Sequence, residues 1–387
     1  MAKVEEHILV ADVGGTHTGV GIVAYSGKDR FEIVRHKTFR SKTVQDFAAL
    51  LGEFLKKEGR SLQPAVRKAC IDFAGPIGAD RSVALLTNLQ RGFTADEVLK
   101  TTGVEELTLL NDFEAVGFGL EILIANRPEA FVRLSRAGKL PPTKGKKPTA
   151  AVIGAGTGLG TTVLIYDTVT GKYRPTPGEG GHVDFVAVDE FEFQIAQWIR
   201  KHRNLSEKNP LNCEKVVSGP GLVNVFHALS ALQPDLVRRA ISKQVADADP
   251  YDRPPIIIKN AAKDALCRRV LDTWLRCYGR AAKNAATFPL APGGVFLAGG
   301  IAAKILPEMR SGIFMKEFTR CDVPNIRPLL KRTPVFVVTD YHIGLFGCAN
   351  VAINFAQELG AKKKANQEST IDELQTTPIL SRQIVNP

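Results

Sequence analysis

HILVADVGGTHTGVGIVAY, residues 7–25, is the stretch on which the fold turns. An apolar run reaches Asp12, Gly14, Gly15 and Thr16, then becomes apolar and β-branched again. That is the pattern of two strands joined by a glycine turn. TAAVIGAGTGLGTTVLIYD, residues 149–167, repeats it, and the two align without a gap with Thr16 over Thr157. Similarity at this separation predicts a duplicated domain, not a solenoid. The strand after each turn excludes a dinucleotide fingerprint, which needs its glycines between a strand and a helix. The glycines at 154, 156, 158 and 160 also have the wrong spacing, and no lysine follows either turn as a P-loop would require. Taken singly, each turn reads equally as a tight hairpin in which glycine supplies positive φ. As a matched pair they predict a phosphate clamp of backbone N–H groups and threonine hydroxyls, with Asp12, Thr16 and Thr157 on opposite sides of a cleft.

The bulk properties narrow the classes. A chain of 387 residues exceeds a usual single core, so two domains are expected. Apolar content of 44% and charged content of 24% are those of an ordinary globular protein. The net charge of +11 is scattered, apart from KGKK (144–147) and KKK (362–364). With no basic helix interleaved with aromatics, no zinc-finger spacing and no helix-turn-helix signal, nucleic acid is set aside as a partner. The charge suits an anionic small molecule. Six cysteines, at 70, 213, 267, 277, 321 and 348, include no C-x-x-C, which argues against structural zinc or a disulfide framework and for free thiols. No run reaches membrane-spanning length and no signal-peptide core is present, so the expectation is no membrane and a cytoplasmic location.

Further motifs carry polar residues at strand ends and glycine loops. LTLLNDFEAVGFGL (107–120) sets Asn111 and Asp112 where a buried strand opens into a helix. PGEGGHVDF (177–185) presents Glu179 and His182, and NCEKVVSGPGLVNVF (212–226) presents Glu214 at the start of a helical stretch. GGVFLAGGIAAKI (293–305) is a strand ending at Gly299-Gly300, followed by a helix. DFAGPIG (72–78) and LLTNLQ (85–90), with Asn88, complete the set. Each residue has a plainer reading: Asp112 as a helix N-cap, His182 as a hydrogen-bonded loop histidine, Gly299-Gly300 as a strand-to-helix turn.

Together NDFEAVG, GAGTGLG, PGEGGHVDF, SGPGLVN and LAGGI resemble the bacterial-type ATP-dependent glucokinases, within the actin, Hsp70 and hexokinase superfamily, over about residues 8–358. The resemblance implies an α/β fold of two RNase H-like (actin-like ATPase) domains with an interdomain cleft. The small domain would be residues 1–122, completed by a C-terminal helix near 343–360. The large domain would be 123–342, and 361–387 a flexible tail. It implies phosphoryl transfer from ATP to the 6-hydroxyl of glucose, with Asp112 as general base, a task in which positioning outweighs a shifted pKa. Glucose would be held by Asn88, Asn111, Asp112, Glu179, His182 and Glu214, whose amides and carboxylates pair with ring hydroxyls. ATP phosphates would meet Asp12, Gly14, Gly15, Thr16, Gly156, Thr157 and Gly158, and the adenosine would lie against Gly299 and Gly300. Mg²⁺ would arrive with ATP near Asp12, without a direct protein ligand. A homodimer is the family expectation.

Two departures from the family pattern stand out: His17 follows the first turn's threonine where asparagine is usual, and Arg91 replaces a frequent aromatic. The nearest rival is a ROK-type sugar kinase of other hexose specificity. That group normally follows its Glu-x-x-His with a cysteine-rich zinc motif, whereas here Cys213 stands alone after His182. A non-catalytic actin-like nucleotide-binding protein is the other alternative, and it has no use for Glu179, His182 and Glu214. The hexose, and ADP or polyphosphate as donor, stay open at this stage.

Overall fold

The structure is a computed structural model that describes residues 3–86, 91–136, 138–203, 205 and 209–363. Its strands form two six-stranded mixed sheets, each with the same sequence of pairings, in two compact units. The first unit holds the described residues of Met1–Pro128, Lys172–Pro175 and those from His342 onward; the second holds Glu129–Gly171 and Thr176–Tyr341.

In the first unit, β1 (Glu6–Val13), β2 (His17–Tyr25) and β3 (Phe31–Arg40) make an antiparallel meander. β4 (Lys68–Phe73) then pairs in parallel with β1. The short strands β5 (Val83–Leu86) and β6 (Arg91–Thr94) form a separate hairpin, and β7 (Glu106–Asn111) pairs in parallel with β4. β1 is buried along nearly its whole length because helices cover both faces of the sheet, which explains its unbroken apolar run. On one face the helices Phe47–Glu58 and Ala95–Thr102 enclose Leu51, Phe54, Val98 and Leu99 with the strand residues Leu9, Ala11 and Ile71.

On the other face the helices Asp112–Asn126 and Ile343–Asn354 meet backbone to backbone. A Cβ on Gly119 would lie 2.0 Å from the Ile343 carbonyl oxygen, and one on Gly347 would lie 1.8 Å from that of Ala115. Only glycine permits this approach. Asn350, almost fully buried, donates its side-chain amide to the Phe118 carbonyl at 2.9 Å and pins the pair.

In the second unit, β9 (Ala150–Ala155) and β10 (Leu159–Asp167) form the hairpin that matches β1–β2. β8 (Phe131–Arg133), β11 (Lys172–Gly178), β12 (Val295–Ala298) and β13 (Val335–Val338) complete the order β11-β10-β9-β12-β13-β8. β9, β12 and β13 run parallel and β8 closes the edge antiparallel. β11 begins at Lys172, so its first four residues belong to the first unit by packing, and its last three to the second. The helix Ala265–Thr287 buries Trp274 and Tyr278 in this core, with the Tyr278 hydroxyl 3.2 Å from the Ile153 carbonyl. Arg280 on that helix joins the buried carboxylates of Glu192 and Glu317. At the far edge of the first sheet, β14 (Lys362–Lys363) pairs antiparallel with β7. These residues, expected to open a flexible tail, instead extend the sheet; residues 364–387 lie outside the described residues.

Candidate active site

Polar groups collect at the C-terminal ends of the parallel strands in each unit, and the two sets are built differently.

In the first unit the parallel register sets Asp12 beside Asp72 and Asp72 beside Leu110. One step on it sets Val13 beside Phe73 and Phe73 beside Asn111. The turn after β1 closes with the Gly14 N–H on the His17 carbonyl at 3.0 Å. Ser41, fully buried at the end of β3, braces it: its hydroxyl donates to the Gly14 carbonyl at 2.6 Å, and its N–H to that of Thr16 at 3.0 Å. A serine 25 residues past Thr16 therefore holds the first glycine turn, and no local motif marks it. His17 itself is exposed.

β7 ends at Asn111, whose side-chain oxygen accepts the N–H groups of Phe113 at 3.0 Å and Glu114 at 3.3 Å. Asn111 is thus the N-cap, and Asp112 is the first helical residue. This corrects the plainer reading of Asp112 as the cap. One oxygen of Asp112 accepts the Phe113 N–H at 2.9 Å. Behind it the buried Glu114 takes a two-pronged ion pair from Arg81, at 2.8 and 3.0 Å, which ties the first turn of this helix to the loop ahead of β5. Asn88 lies outside the described residues, as does the Arg91 side chain.

Asp12 and Asp72 approach closely enough to hydrogen-bond. Burial holds the Asp12 carboxyl above its ordinary range, opposed by that hydrogen bond. Burial first, then the charges of Asp12, Cys348 and Asp112, raises Asp72 well above its own. Asp72 was not expected as a site residue, though a lone acid inside the apolar strand KACIDF was the available signal.

In the second unit, the turn Gly156-Thr157-Gly158 is pinned on three sides. The Gly156 N–H donates to the Gly158 carbonyl at 2.8 Å, and the Gly156 carbonyl accepts the Gly219 N–H at 2.8 Å. Glu214 Oε2 accepts the Leu159 N–H at 2.9 Å. Glu214 sits on the 3-10 turn Cys213–Lys215, capped by Asn212 and followed by Ser218, which caps the helix Gly219–Leu232. The chain around Asp184 runs antiparallel to that around Asn212, which brings the two motifs side by side. The loop before it, Gly180–His182, lies flush on β10: a Cβ on Gly181 would fall 1.9 Å from the Leu159 carbonyl oxygen. Thr161 stitches it down, donating to the Gly178 carbonyl and accepting the Gly180 N–H, both at 3.0 Å. Glu179 and His182 are exposed and 3.7 Å apart, close enough for an ion pair when the ring is protonated.

Gly299 follows β12 with φ of 82°, and a Cβ there would be 2.7 Å from the Ala155 carbonyl oxygen, so it packs on the end of β9. Gly156 and Gly300 differ: neither has positive φ, and a Cβ on either would meet nothing within 4 Å among the described residues. Neither the fold nor the neighbours require glycine at these two positions; a ligand lying against the backbone would.

Among the described residues, no three His, Cys, Asp or Glu side chains group as a metal cage. A hard cation carried by phosphate fits such a site, because phosphate oxygens and water fill most of its positions. Asp12 and Asp72 are the acids at the strand ends beside the first turn. Nor is any helix among the described residues long and apolar enough to cross a membrane.

The fold of the chain matches that of a glucokinase from an Antarctic psychrotroph, with a TM-score of 0.68 at 25% identity over 90% of this chain and 99% of that one. A ROK family glucokinase from Streptomyces griseus in complex with glucose and AMPPNP shares the fold, with a TM-score of 0.60 at 17% identity over 89% of this chain and 99% of that one. In sequence, the glucokinase of Nostoc punctiforme is 31% identical over 352 residues, covering 88% of this chain and 97% of its own. That of Photorhabdus laumondii is 31% identical over 342 residues, covering 88% and 94%. The Glucokinase family profile matches residues 9–355, and the chain belongs to the glucokinase family.

Proposed function

We propose that the protein transfers a phosphoryl group from ATP to the 6-hydroxyl of glucose, giving glucose 6-phosphate and ADP. Family membership over residues 9–355 supports the reaction class. The observation that carries it to the site is the pair of glycines, Gly156 and Gly300, at which no neighbour among the described residues requires glycine. The finer fold assignment, two RNase H-like domains of the actin-like kind, belongs to the same proposal. It is supported by the shared order of three antiparallel strands, two parallel strands and an antiparallel edge.

Asp112 acts as general base. Its carboxylate needs reach and orientation more than an altered pKa, because the transition state for phosphoryl transfer is loose. Asn111 caps the helix and holds its start, and with it Asp112, in place. Asn88, Asn111, Glu179, His182 and Glu214 bind sugar hydroxyls. A site of paired amides and carboxylates rejects analogues lacking a hydroxyl, whose loss leaves buried polar groups unpaired. Glu214 has a second task, since the oxygen that holds the Leu159 N–H also fixes the Gly156–Gly158 turn. Sugar and phosphate recognition in this unit are thereby mechanically linked.

Gly14, Gly15, Thr16, Gly156, Thr157 and Gly158 receive phosphates, Gly299 and Gly300 the adenosine, and Asp12 the cation side. Mg²⁺ bound with ATP would supply charge neutralisation at the transferring phosphate. The reading extends to a cytoplasmic homodimer. The test is to identify the product: ³¹P NMR of protein, MgATP and glucose should show glucose 6-phosphate and ADP rising together. ADP formed at the same rate without glucose would point instead to a nucleotide switch.

A further inference from the structure

Asp72 is a buried acid whose hydrogen bonding is incomplete. It is 1% exposed, and its Oδ1 has no hydrogen-bond partner among the described residues. Its Oδ2 lies 3.3 Å from the Cys348 thiol, a weak donor. No ion pair to Asp12 or Asp72 exists among the described residues. A buried carboxyl in such surroundings costs stability unless something compensates it.

The surroundings also show where compensation would enter. Asp12 and Asp72 are register partners at the C-terminal ends of β1 and β4, beside the turn that starts at Gly14. Their Oδ2 atoms converge on one point above Gly344, at 3.6 and 3.2 Å from where its Cβ would stand. A side chain there would fill the space that both carboxyls face; glycine leaves it clear. Two converging carboxylates, one with an unused buried oxygen, are a donor set for a hard divalent cation.

Resting on the kinase reading above, we propose that Asp72 is a second carboxylate for the cation that accompanies the nucleotide, acting with Asp12. The competing account is a structural pair in which the two acids share one proton and no cation enters.

Mn²⁺ separates the two. Free Mn²⁺ is measured by its EPR signal during titration of the full-length protein without nucleotide, for wild type and Asp72→Asn. Uptake of one Mn²⁺ per chain by the wild type, weakened at least about tenfold in the variant, is the expected result. Equal affinity in both within twofold overturns the proposal, as does the absence of Mn²⁺ uptake by the wild type at millimolar concentration. If Asp72→Asn does not fold, as circular dichroism would show, the wild-type titration decides by itself. Glucose phosphorylation by the same wild-type preparation keeps the two claims apart. A working kinase that binds no Mn²⁺ without nucleotide removes only the role of Asp72. Mn²⁺ uptake by a protein without kinase activity removes the function and leaves the cation site.

Discussion

Replacing Gly156 by alanine separates what the second hairpin does for the fold from what it does for ligand. Beyond its chain neighbours the new methyl group meets no atom of the described residues within 4 Å, and the backbone there has no positive φ to forbid it. The hydrogen bonds to Gly158 and Gly219 use backbone atoms and survive the change. Folding stability should therefore move by less than about 1 kcal/mol, and it could rise slightly because alanine restricts the unfolded chain. The nucleotide meets the opposite situation. A methyl group in space that the ligand fills costs about 1–3 kcal/mol, as in an overpacked core, or roughly five- to 150-fold in Kd. Calorimetric titration with MgADP measures the second effect and urea unfolding the first. Unaltered MgADP affinity in a stably folded Gly156→Ala protein would refute the assignment of this turn to nucleotide. A stability loss of several kcal/mol would show that the glycine serves the fold.

Gly347→Ala should do the reverse. Its Cβ would fall 1.8 Å from the Ala115 carbonyl oxygen, so the two helices must separate, at about 3 kcal/mol or more. The helix propensity of alanine offsets only about 1 kcal/mol of this, and urea unfolding should show a clear fall in midpoint. Thiol titration should find Cys321, the only partly exposed cysteine of the six, reacting first in native protein, and all six after denaturation. Burial raises Cys213 and Cys267 to about 12, so raising the pH to 8 should not expose them to reagent. His227 is lowered from 6.5 by burial and by the charges of Arg253 and Arg203. Between its folded pKa and 6.5 the unfolded chain binds more protons, so its contribution to stability is complete above 6.5 and lost as pH falls through the folded value. Unfolding midpoints from pH 7.5 to 5 should decline less steeply in His227→Gln; identical slopes would contradict this.

The parts of the site that were legible in the sequence are those whose chemistry is local. A glycine turn between two apolar runs announces its hairpin within about twenty residues, and both Gly14–Thr16 and Gly156–Gly158 form where their pattern sets them. Asn111-Asp112 at a strand-to-helix junction was equally readable, although capping falls to Asn111 and leaves Asp112 as the first helical residue. What sequence patterns did not reveal depends on distant pairing. Ser41 reaches the first turn only because β3 folds back along β2. Asp72 meets Asp12 through parallel register, and Cys348 and Gly344 arrive from a helix more than 270 residues further along the chain. The same holds for Gly119 and Gly347, which look like poor helix residues until their close approach is seen. The exposed Glu179 and His182 offer no buried partner from which a role follows, so their place in the site rests on the motif they form.

The central claim is that Asp112 takes the proton from the sugar hydroxyl. Single-turnover formation of glucose 6-phosphate, measured for wild type and Asp112→Asn at saturating MgATP and glucose, tests it most directly. General-base catalysis is typically worth about 10²–10⁴-fold, so the variant should be slower by at least a hundredfold. Asparagine can keep the hydrogen bond to the Phe113 N–H, so glucose and MgADP affinities should stay within a few-fold of wild type. A variant that phosphorylates glucose within tenfold of the wild-type rate would contradict the account.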